Sequence, residues 1–222
     1  MASEAIFGQN LFLLRCRSNT ACPEFPLAVA DINNDGIPDI ISLQKSISSK
    51  GGATNLAILL SNRNSCDSSI RSCYRKKIIE LGNAPAPRNL SLADFNNDGS
   101  IDILIGAGKT KPGPYKGGKY VLLAGKSKGD WISIDLKCKS DTNAIGSLVS
   151  VNEGPSGVKT FLKTGGTRHE TQDHSRIHIG LGKSTRDHLK AKVAWPNGKS
   201  SNTYQLPVNS VTTINGGKLC DL

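Results

Sequence analysis

Apolar residues in this chain come in short runs cut by Gly, Asn, Pro and Ser, a pattern that predicts strands rather than helices. Leu27-Ala28-Val29-Ala30 and Ile40-Ile41-Ser42-Leu43 flank one acidic loop. Further on, Trp131 to Leu136, Leu148 to Val151, Val158 to Leu162, Ile177 to Ile179, Leu189 to Trp195 and Val211 to Ile214 are apolar or alternating segments between turn-forming residues. Residues 129 to 222 show no sustained helical spacing, so a small all-β unit is expected there. Trp195-Pro196-Asn197-Gly198 reads as a strand running into a turn, with the indole covering the core rather than stacking on a sugar.

The acidic loop occurs twice, as Asp31-Ile32-Asn33-Asn34-Asp35-Gly36-Ile37-Pro38-Asp39 and as Asp94-Phe95-Asn96-Asn97-Asp98-Gly99-Ser100-Ile101-Asp102. Both copies read D-x-N-x-D-G-x-x-D. Side-chain oxygens at positions 1, 3, 5 and 9, with Gly at 6 for the sharp turn, are what a loop wrapped around calcium requires. The expected ligands are Asp31, Asn33, Asp35, Asp39 and the carbonyl of Ile37 in one loop. In the other they are Asp94, Asn96, Asp98, Asp102 and the carbonyl of Ser100. Position 12 holds Ser42 and Ile105 instead of glutamate, so each loop closes earlier than in the helix-loop-helix calcium motif and sits between strands. Asp-Gly and Asn-Asp steps also build turns without any metal. Two loops that each crowd three aspartates favour a cation to offset the repulsion, giving two expected Ca2+ sites.

The loops lie 63 residues apart, and their surroundings repeat too: Leu-Ala-Val-Ala-Asp against Leu-Ser-Leu-Ala-Asp, then Asp-Ile-Ile-Ser against Asp-Ile-Leu-Ile. A period of this size marks a unit of about four strands. On these residues the chain, over roughly 5 to 128, resembles the FG-GAP or VCBS-type repeats of integrin-like β-propellers, whose blades carry calcium loops of this form. A Gly/Lys-rich stretch from Gly108 to Gly118 and the loop-like Gly125 to Gly129 separate this region from the next. There, Asn143 to Val151, His178-Ile179-Gly180-Leu181-Gly182 and Val193 to Lys199 together resemble the ASPIC/UnbV domain of the cartilage acidic protein family. Thr171-Gln172 falls where that family tends to have Ser-Gln. The resemblance implies an all-β chain: two propeller-type blades over 1–128, an incomplete propeller, followed by a small β-rich ASPIC/UnbV domain over 129–222. Two blades cannot close a ring, which takes at least about four. The open strand edges are expected to be capped by the C-terminal domain, by a second copy in a homo-oligomer, or by further propeller blades.

Six cysteines change the cellular setting. Cys16 with Cys22, Cys66 with Cys73, and Cys138 with Cys220 is the expected pairing, one of fifteen connectivities that six cysteines allow. Chain-entropy estimates give about 2 kcal/mol for each short loop and roughly 4 to 5 kcal/mol for the long one. Reduced thiols or a zinc site are the alternatives, and the absence of any C-x-x-C argues against zinc. Disulfides and calcium loops both point outside the cytosol, so an extracellular or secreted protein is expected. Residues 1 to 14 lack the basic and long apolar regions of a secretory signal, and a fragment or processed form is the expected explanation. No run of about eighteen apolar residues predicts a membrane span. Asn89-Leu90-Ser91 is a glycosylation sequon.

At 222 residues and 37% hydrophobic content the chain is long enough for one or two cores, and its net charge is +10. Basic residues gather at Arg75, Lys76 and Lys77, at Lys109, Lys111, Lys116 and Lys119, and at Lys183, Arg186, Lys190 and Lys192. Such a surface either attracts polyanions in a salt-dependent way or is simply a solvated face. Aromatics make up 5% of the chain and interleave with no nucleic-acid motif, so an anionic glycan or an extracellular protein is the expected partner rather than nucleic acid. His169, Glu170, Asp173, His174 and His178 would be the raw material of a hydrolase, but their spacing matches no metalloprotease signature and no G-x-S-x-G is present. The expected function is a non-catalytic, extracellular calcium-binding protein of adhesion or matrix type. A lectin-like module for sulfated or acidic glycans and a hydrolase built on His169, Glu170 and His174 are the alternatives.

Overall fold

The computed structural model describes residues 26–45, 54–62, 73–81, 87–107, 119–139, 144–154, 157–165 and 172–220. Cys16, Cys22, Cys66, Lys109, Lys111, Lys116, His169 and Glu170 therefore lie outside the described residues. Fourteen strands and no α-helix are seen among the described residues, and no sheet closes into a barrel. The chain is all-β, of incomplete propeller type. Two compact units divide it. One comprises Met1–Ala30, Pro38–Arg88 and Gly106–Lys119, the other Asp31–Ile37, Asn89–Ile105 and Tyr120–Leu222.

In the first unit, β1 (Leu27–Ala30), β2 (Asp39–Lys45), β3 (Thr54–Ser61) and β4 (Tyr74–Glu80) form an antiparallel meander in chain order. Alternation of side chains across a strand puts Ala28, Ile41, Leu43, Leu56 and Ile58 on one buried face. Register pairs Ile41 with Ala28 on one side and with Ile58 on the other, so these residues stack across the strands. Edge strand β4 is exposed along most of its length.

The second unit starts with the three-stranded sheet of β5 (Pro87–Ala93), β6 (Asp102–Ala107) and β7 (Lys119–Leu123). The next strand, β8 (Asp130–Cys138), does not extend that sheet: it pairs antiparallel with β11 (Ile177–Gly182) and parallel with β14 (Ser210–Gly217). A second sheet runs β10 (Val158–Leu162), β9 (Leu148–Asn152), β12 (His188–Ala194), β13 (Tyr204–Pro207). Both sheets feed one core, with Ile132, Ile134 and Leu136 from β8, Val149 and Val151 from β9, Leu189, Ala191 and Val193 from β12, and Ile214 from β14. Strand β12 shows the cause plainly: its exposed and buried residues alternate, Lys190 and Lys192 outward, Ala191 and Val193 inward. Trp195 is 2% exposed and belongs to this core, as the turn reading expected. Cys138 and Cys220 are bonded to each other at its edge, their Cα atoms 5.6 Å apart. No described cysteine is free, and Cys73 is also in a disulfide.

Candidate functional site

The two acidic loops are built alike, bond for bond. Asp31 receives the Asp35 N–H at 3.0 Å and the Gly36 N–H at 2.7 Å, while Asp94 receives the Asp98 N–H at 3.0 Å and the Gly99 N–H at 2.9 Å. The amide oxygens of Asn33 and Asn96 accept from the same Asp35 and Asp98 N–H groups, both at 3.1 Å. Asp35 and Asp98 accept in turn from the N–H of Ile37 at 2.9 Å and of Ser100 at 2.8 Å. The Ser100 amide holds the Asp98 carboxyl below the usual carboxylate range. Left-handed backbone at Gly36 (φ 82°) and Gly99 (φ 83°) makes the sharp turn that folds positions 1, 3 and 5 around one point. The matching sequence thus produces matching turns with two carboxylates and one carboxamide converging in each.

Position 9 is used differently. Asp39 is fully buried at the start of β2 and accepts the Ser61 N–H at 2.7 Å. Asp102 is 2% exposed at the start of β6, and its two oxygens accept the Gly125 N–H at 2.6 Å and the Phe95 N–H at 2.9 Å. Both aspartates tie their strand to the chain a hairpin further on. Among the described residues no group of three or more His, Cys, Asp or Glu side chains is gathered in one place as a metal-holding set.

Residues 31–105 match the family model of the FG-GAP-like repeat, and residues 137–219 match that of ASPIC and UnbV. The chain carries an FG-GAP-like repeat followed by an ASPIC/UnbV domain. No curated protein matches it. The FG-GAP-like repeat and the disulfide together point to an extracellular protein of integrin-like repeat type. No helix among the described residues is long and apolar enough to cross a membrane.

In the second unit the turns of the FG-GAP-like repeat lie directly against ASPIC/UnbV strands. Gly180 of β11 faces loop residues so closely that an added Cβ would overlap Asp31 Oδ2 and stand 2.5 Å from the Asn34 Cα. Two residues on, the Gly182 N–H donates to the Asn34 carbonyl at 2.6 Å. Gly99 of the other loop backs onto the Trp131 indole, where a Cβ would have no room. Arg176 reaches Asn97 with a guanidinium hydrogen bond. The His178-Ile179-Gly180-Leu181-Gly182 motif is therefore a seat for the first loop. Its small residues and its histidine were visible in the sequence, and glycine inside a strand is the signal for a close backbone approach.

His178 stands at the centre of that seat. Its Nε2 lies 2.9 Å from Asn34 Oδ1, its ring stacks on Trp131 with centroids 5.8 Å apart, and its Nδ1 is buried with no partner. Burial pushes the imidazole pKa down to about 4. His174 and Asp173 are placed elsewhere. Asp173 receives the Leu92 N–H at 2.7 Å, and His174 Nδ1 receives the Arg176 N–H at 3.0 Å. The His174 ring is also held below the usual histidine range, by burial first and by Arg176 second.

The basic residues fall in separate places. Arg75, Lys76 and Lys77 are consecutive on β4, so strand alternation sends Lys76 to the opposite face from its neighbours. Lys190 and Lys192 share the outer face of β12, and Lys183 and Arg186 lie exposed between β11 and β12. Lys119 is the first residue of β7. Lys163, which sequence reasoning passed over, is 2% exposed, with Nζ donating to the Ser175 carbonyl. Burial pushes its ammonium pKa down, with Asp135 opposing.

Proposed function

We propose that the protein is an extracellular, calcium-stabilised binding protein without catalytic activity. The congruence of the two loops carries this reading. Each presents two carboxylates and one carboxamide around a glycine turn, oxygen donors that suit a hard divalent cation. Asp31, Asn33, Asp35 and the Ile37 carbonyl would hold one ion, and Asp94, Asn96, Asp98 and the Ser100 carbonyl the other. Asp39 and Asp102 enter as candidate ligands from the sequence pattern alone. Bound calcium would supply positive charge that relieves repulsion between the paired aspartates and would stabilise the folded state by mass action. Native mass spectrometry of the full chain should show two ions lost on chelation, with a fall in melting temperature in EDTA. Equal masses and equal melting with and without calcium would remove the proposal.

The histidines support binding over catalysis, because His178 is committed to Asn34 and Trp131 and Asp173 to a backbone amide. For the partner, Lys190 and Lys192 on the open face of β12 favour an anionic glycan or an acidic protein surface. Heparin retention that falls steeply with salt, and weakens in Lys190→Ala/Lys192→Ala, tests that reading. Unchanged retention in the double variant would move the contact elsewhere.

A further inference from the structure

Asn34 sits at position 4 of the first loop, the position whose side chain points away from the converging donors. Its backbone is left-handed (φ 57°), a conformation asparagine tolerates better than most residues. The side chain is fully buried, and Nδ2 donates to the Gly99 carbonyl, position 6 of the second loop, at 2.7 Å. A carbonyl can only accept, so this bond fixes which way the amide faces. Oδ1 is thereby turned to His178 Nε2, which must carry the proton of that bond. One amide thus joins loop one, loop two and strand β11.

Ser127 makes a second link between the loops. Its hydroxyl donates to the Asn33 carbonyl at 2.7 Å, and its N–H donates to Ser100 Oγ at 3.0 Å. Asn33 and Ser100 are positions 3 and 7 of their loops. Asn34 lies between Asn33 and Asp35, and Gly99 between Asp98 and Ser100. Both of these links between the loops therefore fall on a candidate donor residue or its immediate neighbour.

Ordering one turn around a cation fixes the backbone that its partner turn is bonded to. The second ion then finds its donors already arrested and loses less conformational entropy on binding. We propose that the two loops form one cooperative ion-binding pair, coupled through the Asn34 amide and Ser127. The proposal rests on the calcium reading above. The coupling is reciprocal, since each ion raises the affinity for the other by the same factor, and about tenfold is expected for contacts of this kind.

The test is a calcium titration of the full chain followed by native mass spectrometry, which counts chains with zero, one and two ions. Cooperative loops leave the one-ion species scarce at the midpoint, whereas independent loops fill it to about half of all chains. Asn34→Gly keeps the left-handed backbone and the carbonyl that Gly182 uses, and removes only the amide. It should restore the one-ion species and lower the affinity for the second ion about tenfold. Ser127→Ala should act in the same direction to a smaller degree, and it serves as the test if Asn34→Gly fails to fold by circular dichroism. A wild-type chain that binds two ions with statistical populations overturns the coupling and leaves the calcium reading standing. A wild-type chain that binds none at millimolar calcium overturns both.

Discussion

Gly180 lies under the carboxylate of Asp31 with no room between them for a methyl group. The contact joins position 1 of an FG-GAP-like turn to the middle of an ASPIC/UnbV strand, and it explains why this strand carries glycine where a β-branched residue would pair better. The obstruction includes the Asn34 backbone, which cannot rotate aside as a side chain would.

Gly180→Ala should therefore push the 31–37 turn off β11 and break the 2.6 Å bond from Gly182 N to Asn34 O. Overpacking of this kind costs about 1–3 kcal/mol. Urea unfolding should report that loss, and hydrogen exchange should show the Gly182 amide deprotected. Wild-type stability in the variant would mean that the turn and the strand are not in contact.

His178 gives the protein an acid-sensitive joint. The folded imidazole has a pKa of about 4 against the ordinary 6.5, so below 6.5 the unfolded chain takes up a proton that the folded chain refuses. Stability is complete above pH 6.5 and is lost as pH falls from 6.5 towards 4, by at most about 3 kcal/mol. His178→Gln keeps a donor for Asn34 Oδ1 and cannot titrate. Its stability should fall less steeply over that window, measured by denaturant midpoint against pH, and parallel curves for the two proteins would refute the assignment.

The disulfide between Cys138 and Cys220 closes a sequence separation of 82 residues, and both cysteines are buried beside the core. A loop of that length is worth roughly 4 kcal/mol in chain entropy. Cys138→Ala/Cys220→Ala should lower the unfolding free energy by that order, measured by denaturant unfolding. A loss under about 1 kcal/mol would show that the unfolded chain is already constrained.

How much of this was legible beforehand depended on range. Strands β9, β10, β11, β12 and β14 follow the apolar segments because alternation and turn residues are local signals. The core position of Trp195 and the pairing of Cys138 with Cys220 were also readable. Asn34 and Asn97 were not distinguishable, since they occupy the same position of the same motif. One is fully buried against β11 and the other is exposed, a difference set by chain more than a hundred residues away. Nor did any local pattern foretell the parallel pairing of β14 with β8, which joins segments from opposite ends of the domain. The histidine cluster looked like chemistry in sequence, yet strand geometry and separate partners pull His174 and His178 apart in role.

Position 9 of the loops separates a structural duty from an ionic one. Asp102 accepts two backbone N–H groups, one on each oxygen, at 2% exposure. Asp102→Asn preserves the shape but places an N–H2 group against one of those donors, leaving a partly buried N–H unsatisfied. That should cost about 1–3 kcal/mol. If the role of Asp102 is to tie β6 to Gly125 and Phe95, the loss measured by thermal unfolding is the same in EDTA as in calcium. A loss that appears in calcium alone would instead make Asp102 a ligand whose backbone bonds are secondary.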